Sequence, residues 1–192
     1  MPFVRIKRIK NKEYAYLVEN AWKKRKKGSR QKTLKYLGRV HHLEQIENIQ
    51  AEVEENHDFK KIITNLLKIH LKNYGFNQEK KTFMKDNIII DFENNSVTKS
   101  NRNISIQMNE GFLNTYTLRQ LYNYKPKGDM QEIGFNLANV FVSTGLVVPQ
   151  GIFIQAYGKL LEEHKIESPV LAQLKQQKEE FNEEDFYYQK TL

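Results

Sequence analysis

Residues 13–22, Glu13-Tyr14-Ala15-Tyr16-Leu17-Val18-Glu19-Asn20-Ala21-Trp22, read as the middle strand of a small basic sheet. Tyr14, Tyr16, Val18 and Trp22 recur at even spacing, so a strand puts them on one face. Upstream, Val4, Ile6 and Ile9 alternate with Arg5, Lys7, Arg8 and Lys10, a period close to two that slips near Arg8. Asn11-Lys12 can turn the chain between these runs. Downstream, Lys23-Lys24-Arg25-Lys26-Lys27-Gly28-Ser29-Arg30 reads as a loop, and Gln31 to Val40, with Leu34, Tyr36 and Leu37, as a third strand. Together they predict a three-stranded antiparallel meander over residues 1–40, close to the smallest sheet that is stable alone.

Charge is concentrated in the same segment. Residues 1–40 hold 14 Lys and Arg against Glu13 and Glu19, a net of +12. The whole chain carries +8, so the rest sums to −4. Such an imbalance repels itself and points to a polyanionic partner, nucleic acid first. The chain has no cysteine, which excludes disulfides and thiolate metal sites. No apolar run reaches the roughly 18 residues of a membrane span, and the N-terminus lacks the apolar stretch of a signal peptide. A cytoplasmic protein without membrane contact is the expectation.

Composition then changes. His41 to Asp58 holds six acids and no Lys or Arg. Leu43, Ile46, Ile49 and Val53 fall at steps of three and four, which predicts an acidic amphipathic connecting helix covering one face of the meander. Asp58 is placed to cap a second helix, Phe59 to Tyr74, stopped by Gly75. Residues 41–75 are thus expected as a helical connector, and 76–168 as a small α+β domain. In it, Thr82–Lys85 and Ile88–Phe92 flank Asp86-Asn87, a hairpin signal, and Ile104–Met108 is a further strand. Helices are expected over Asn114–Asn123, Met130–Thr144 and Gln150–His164, the last two forming a helical hairpin. Phe135, Leu137, Val140, Phe141, Ile152, Ile154, Tyr157, Leu160 and Leu161 would let it pack the core or dock a partner. Residues 169–192 read as a helical or disordered acidic tail, either solubilising or folding back on the basic sheet as a polyanion mimic. The fold class is α+β.

The cations proposed to meet nucleic acid are Arg5, Lys7, Arg8, Lys10, Lys23, Lys24, Arg25, Lys26, Lys27, Arg30, Lys32, Lys35 and Arg39, with Trp22 beside them. Lys12 adds to the same surface. Exposed rings can stack on unpaired bases. Tyr16 and Tyr36 are expected in the core instead, while Trp22, next to the loop, fits either role. A solvated mobile loop is the plainer account of the 23–27 run. No zinc-finger or aromatic RNA-motif sequence is present.

The segments Glu13–Asn20, Arg30-Gln31-Lys32 and Lys35-Tyr36-Leu37-Gly38-Arg39-Val40 resemble the N-terminal module of insertion-sequence DDE transposases, and of uncharacterised archaeal proteins that open in the same way. The resemblance covers about a fifth of the chain. It implies nucleic-acid contact by Arg30, Lys32, Lys35 and Arg39. A DDE enzyme needs three carboxylates to hold two metal ions. The residues after the module are fewer than such a catalytic domain uses. Asp91, in Ile88-Ile89-Ile90-Asp91-Phe92, resembles a strand-end catalytic carboxylate, and Asp86 lies nearby; an exposed hairpin acid is the plainer account.

Other chemistry is weakly signalled. His41-His42 sit together, but adjacent side chains point apart, so a two-ligand metal site is awkward. Gly145, Gly151 and Gly158 make no phosphate-loop fingerprint. The helix pair after Met130 invites a helix-turn-helix reading, yet its second helix is too apolar for a groove. Neither cofactor nor metal is expected. The reading favours a non-enzymatic nucleic-acid-binding protein that holds phosphates, with RNA or the ribosome slightly ahead of DNA. The alternatives are a transposase-related DNA-processing protein using Asp86 and Asp91, or a protein–protein adaptor working through its C-terminal helices.

Overall fold

The computed structural model describes residues 2–23, 28–49 and 58–166. Strands β1 (Phe3–Ile9), β2 (Lys12–Lys23) and β3 (Gly28–His42) form the expected antiparallel meander. Helix α1 (Phe59–Asn73) follows, then short strands β4 (Asn77–Glu79), β5 (Thr82–Lys85), β6 (Ile88–Asp91) and β7 (Ser96–Lys99). Strand β8 (Arg102–Met108) and β9 (Gly111–Asn114) lead into α2 (Thr115–Tyr122), α3 (Met130–Thr144) and α4 (Gln150–Glu163). The class is α+β.

Among the described residues the nine strands join one sheet in the order β1-β2-β3-β8-β7-β6-β5-β4, with β9 on β8. The antiparallel pairs follow from tight turns. Lys10-Asn11, Asp86-Asn87 and Ser100-Asn101 each have positive φ at both positions, the twist that two-residue hairpins require. The parallel join between β3 and β8 is different. It pairs Arg39 with Ile104 and His42 with Gln107. Gly38 makes it sterically possible: its φ is +116°, and a β-carbon there would stand 2.5 Å from the Ile104 Cα.

The larger core lies between α1, the β5–β9 strands and α2–α4. Ile62, Leu66, Phe83, Ile106, Leu113, Leu137, Phe141 and Leu160 are fully or almost fully buried in it. Each such side chain contributes about 1.5–3 kcal/mol by leaving water. Asp58 caps α1 as expected, accepting from the Lys61 amide at 2.7 Å, and Gly75 turns left-handed after it. Asp129 caps α3 and Gly145 ends it in the left-handed region.

Three expectations are corrected. Residues 43–49 are not helical; β3 runs on to His42 and the chain continues without regular secondary structure. Asn73 of α1 holds this stretch, its Nδ2 donating to the Ile49 carbonyl and its backbone carbonyl accepting from the Ile46 amide. The helix of the connector is therefore α1, whose surface is basic, and Val53 lies outside the described residues. Ile46 and Ile49 are exposed, so they do not cover the meander. Phe112 of β9 and Tyr116 of α2 do that, packing on Ala15, Leu17, Leu37 and Val40. Finally, Phe135 and Ile154 face solvent rather than the core of the α3–α4 hairpin. That hairpin is held by the Phe141–Phe153 ring contact and by the Tyr157 hydroxyl donating to the Met130 carbonyl at 2.8 Å. The tail, 167–192, lies outside the described residues.

Candidate nucleic-acid interface

Strand alternation sorts the meander's side chains onto two faces. Ile6 stands opposite Ala15 and Val4 opposite Leu17, on the face covered by Phe112 and Tyr116. Arg5 stands opposite Tyr16 and Lys7 opposite Tyr14 on the other face. Directly opposed residues share a face, so Arg39, opposite Tyr14, and Tyr36, opposite Tyr16, lie there too.

This uncovered face carries a tyrosine cluster ringed by cations. The Tyr16 and Tyr36 ring centroids are 5.3 Å apart, those of Tyr14 and Tyr36 6.3 Å. The Lys7 ammonium stands 4.7 Å over the Tyr16 ring, a cation–π contact. Partial burial raises the Tyr36 hydroxyl pKa, with Tyr16 and Tyr14 adding and Arg39 opposing. Tyr36 is 49% exposed, so it is a surface ring rather than a core one. Alternation alone could not tell which face the rest of the chain would cover.

The second feature lies beyond this patch. β1 stops pairing at Val18, and β8 pairs with β3 only from Arg39 onward. Residues 19–23 and 28–32 therefore pair only with each other among the described residues, from Glu19–Lys32 to Lys23–Gly28. They form a two-stranded ribbon extending past the sheet. Residues 30–36 are all exposed, and Trp22 is 67% exposed. The expected loop at 23–30 is thus shorter: β2 reaches Lys23 and β3 starts at Gly28. The ladder bends where Leu34 and Leu37 are extra on β3, at the register shifts between Leu17 and Val18 and between Ala15 and Tyr16.

The proposed cations do not all share one surface. Arg5, Lys7 and Arg39 lie on the tyrosine face, and Trp22 has the same parity along β2. Lys35 opposes Leu17, Lys32 opposes Glu19 and Arg30 opposes Ala21, which puts them on the other side of the ribbon. Arg8 opposes Glu13 on that side, and Lys10 sits in the β1–β2 turn. Arg5, Arg8, Lys10, Arg30, Lys32, Lys35 and Arg39 are exposed and Lys7 is half-buried. Lys23 ends β2, while Lys24, Arg25, Lys26 and Lys27 lie outside the described residues. Among the described members of the set, only Lys32 has a carboxylate partner, Glu19 at 3.6 Å. Such an exposed pair contributes about 0–1 kcal/mol and yields readily to phosphate.

Two of the remaining chemical candidates, His42 and Asp91, have local partners. His42 Nε2 donates to Glu13 at 2.8 Å, while His41 is half-buried. Burial lowers the His41 pKa, with Lys99, Arg39 and His42 adding. Asp91 caps the β6–β7 turn: Oδ1 accepts from the amides of Glu93 and Asn94, and Oδ2 from the Asn94 side chain at 2.7 Å. Burial raises its pKa, but the Asn94 and Glu93 hydrogen bonds outweigh that and hold it low. Asp86 occupies the exposed β5–β6 turn. Among the described residues no helix is long and apolar enough to cross a membrane.

Neither curated proteins nor solved structures give a match to this chain. A family model does: residues 4–66 match the IS1634 family transposase, N-terminal domain. The match covers about a third of the chain, taking in the meander, the segment that follows it in sequence and the first half of α1. The N-terminal module of this protein is similar to that of insertion-sequence transposases.

Proposed function

We propose that this protein binds duplex DNA through the ribbon of β2 and β3, with the tyrosine face of the meander as a flank. The projecting two-stranded ribbon carries the reading. A ribbon of this kind fits the major groove, about 12 Å wide, as a helix does. Arg30, Lys32 and Lys35 line one side of it, and Lys24, Arg25, Lys26 and Lys27 connect its strands in sequence. Arg5, Lys7 and Arg39 hold phosphates beside it. Contacts of this type position the protein without reading sequence. The similarity to a transposase N-terminal domain supports DNA as the partner. The sequence-based leaning toward RNA or the ribosome rested on the lack of a groove-reading helix, and a ribbon removes that reason.

The test is fluorescence anisotropy with a duplex DNA and an RNA of equal length. Arg30→Glu/Lys32→Glu/Lys35→Glu, all exposed positions, should weaken duplex binding by at least about tenfold while circular dichroism stays unchanged. Unchanged affinity, or tighter binding to RNA, contradicts the proposal.

The family match also favours a second reading, in which the module holds DNA for a transposase-related processing reaction. Magnesium-dependent nicking lost in Asp86→Ala would support it.

A further inference from the structure

A second cationic feature lies far along the sheet from the meander. α1, the β4–β5 hairpin and the turn after β6 enclose an open cleft of about 540 Å³. Lys60, Lys61, Lys68, Lys80 and Lys81 line it against two carboxylates. Both carboxylates are engaged. Asp58 accepts from the Lys61 amide, and Glu93 pairs with Lys81. Phe92 and Tyr122 line it as well, their ring centroids 5.8 Å apart, and the Tyr122 hydroxyl is 3.2 Å from Thr64 Oγ1. The Oδ1 of Asn95, also at the cleft, is shut off from solvent with no hydrogen-bond partner.

We propose that this cleft binds a nucleotide, with its phosphate on the lysines and its base against Phe92 and Tyr122. Lysines outnumbering free carboxylates suit a phosphate. Half-buried rings suit the face of a base. Five lysines and two half-buried rings meet in one cleft. The ligand is either a free nucleotide or the 5′ end of a strand, and the two share this chemistry.

Titration calorimetry on the full chain decides it, using adenosine monophosphate, inorganic phosphate and a 5′-phosphorylated trinucleotide. Lys68→Gln/Lys81→Gln should weaken monophosphate binding about tenfold, as loss of a charge-assisted contact does. Arg30→Glu/Lys32→Glu/Lys35→Glu should leave it unchanged. Photocrosslinking with 8-azidoadenosine monophosphate should label residues of 58–68 or 91–95. Tighter binding of the trinucleotide identifies a strand end, and tighter binding of the monophosphate a free nucleotide. Absence of binding, equal binding of inorganic phosphate, unchanged affinity in the double lysine variant, or labelling confined to the meander would each overturn the proposal.

Discussion

Gly38 of β3 lies flat against the backbone of Ile104 in β8, where no other residue fits. Next to it, Arg39–His42 pair in parallel with Ile104–Gln107 and join the basic meander to the rest of the sheet. Gly38→Ala adds a β-carbon 2.5 Å from the Ile104 Cα and forces alanine into a left-handed φ of +116°. Overpacking and strain together should cost about 2–4 kcal/mol. Hydrogen exchange should show lost protection at residues 39–42 and 104–107 first. Unaltered protection there would mean that the join tolerates side chains.

His70 links α1 to the α3–α4 connection. The Val147 amide donates to its Nε2 at 3.1 Å, so Nδ1 carries the proton and donates to the Leu66 carbonyl. Burial lowers its pKa below 6.5, with the Leu66 contact opposing. The unfolded chain therefore binds this proton more tightly than the folded one. Stability is complete above 6.5 and falls as pH drops below it. Urea midpoints at about pH 7.5 and 5.5 should differ. His70→Leu should be less stable overall yet less pH-dependent, with His41 supplying a residual slope of the same sign. An undiminished slope would assign the effect elsewhere.

Asp91 is a turn cap. Asp91→Ala removes three acceptor contacts and should destabilise the fold by about 1–2 kcal/mol. Asp91→Asn should restore part of that, because its Oδ1 still accepts from the two amides. Thermal melts decide it; equal melting of all three proteins would mean the cap is idle.

Trp22 is solvent-exposed on the ribbon, so Trp22→Ala should change stability by less than about 0.5 kcal/mol. Its binding to single-stranded DNA should weaken by the stacking of one base, about 1–3 kcal/mol. Anisotropy with a thymidine oligomer measures this. Unchanged affinity would leave the ring without a role on unpaired strands.

Much of this architecture was readable from local chemistry. Asp86-Asn87 between β-branched runs gave the hairpin, and Asp58, Asp129 and Gly145 bounded their helices where they stand. What failed was non-local. Leu43, Ile46 and Ile49 have helical spacing, yet Asn73 ties that stretch to α1 in a non-helical path. Phe135 and Ile154 have core chemistry, yet among the described residues no element covers them. The ribbon was missed because Lys23 and Gly28 to Arg30 look like loop residues in isolation, and only the continued β2–β3 register makes them strand. The cations were legible as residues, but their division between two faces depends on bulges at Leu34 and Leu37.

The salt dependence of duplex DNA binding reports how many phosphates the ribbon holds. With about five or six phosphates neutralised, log K should fall against log salt with a slope near −5. Replacing Arg30, Lys32 and Lys35 by Ala should reduce that slope by about three, one per lost contact. A slope near zero, or one unchanged in the triple variant, would contradict DNA binding by the ribbon.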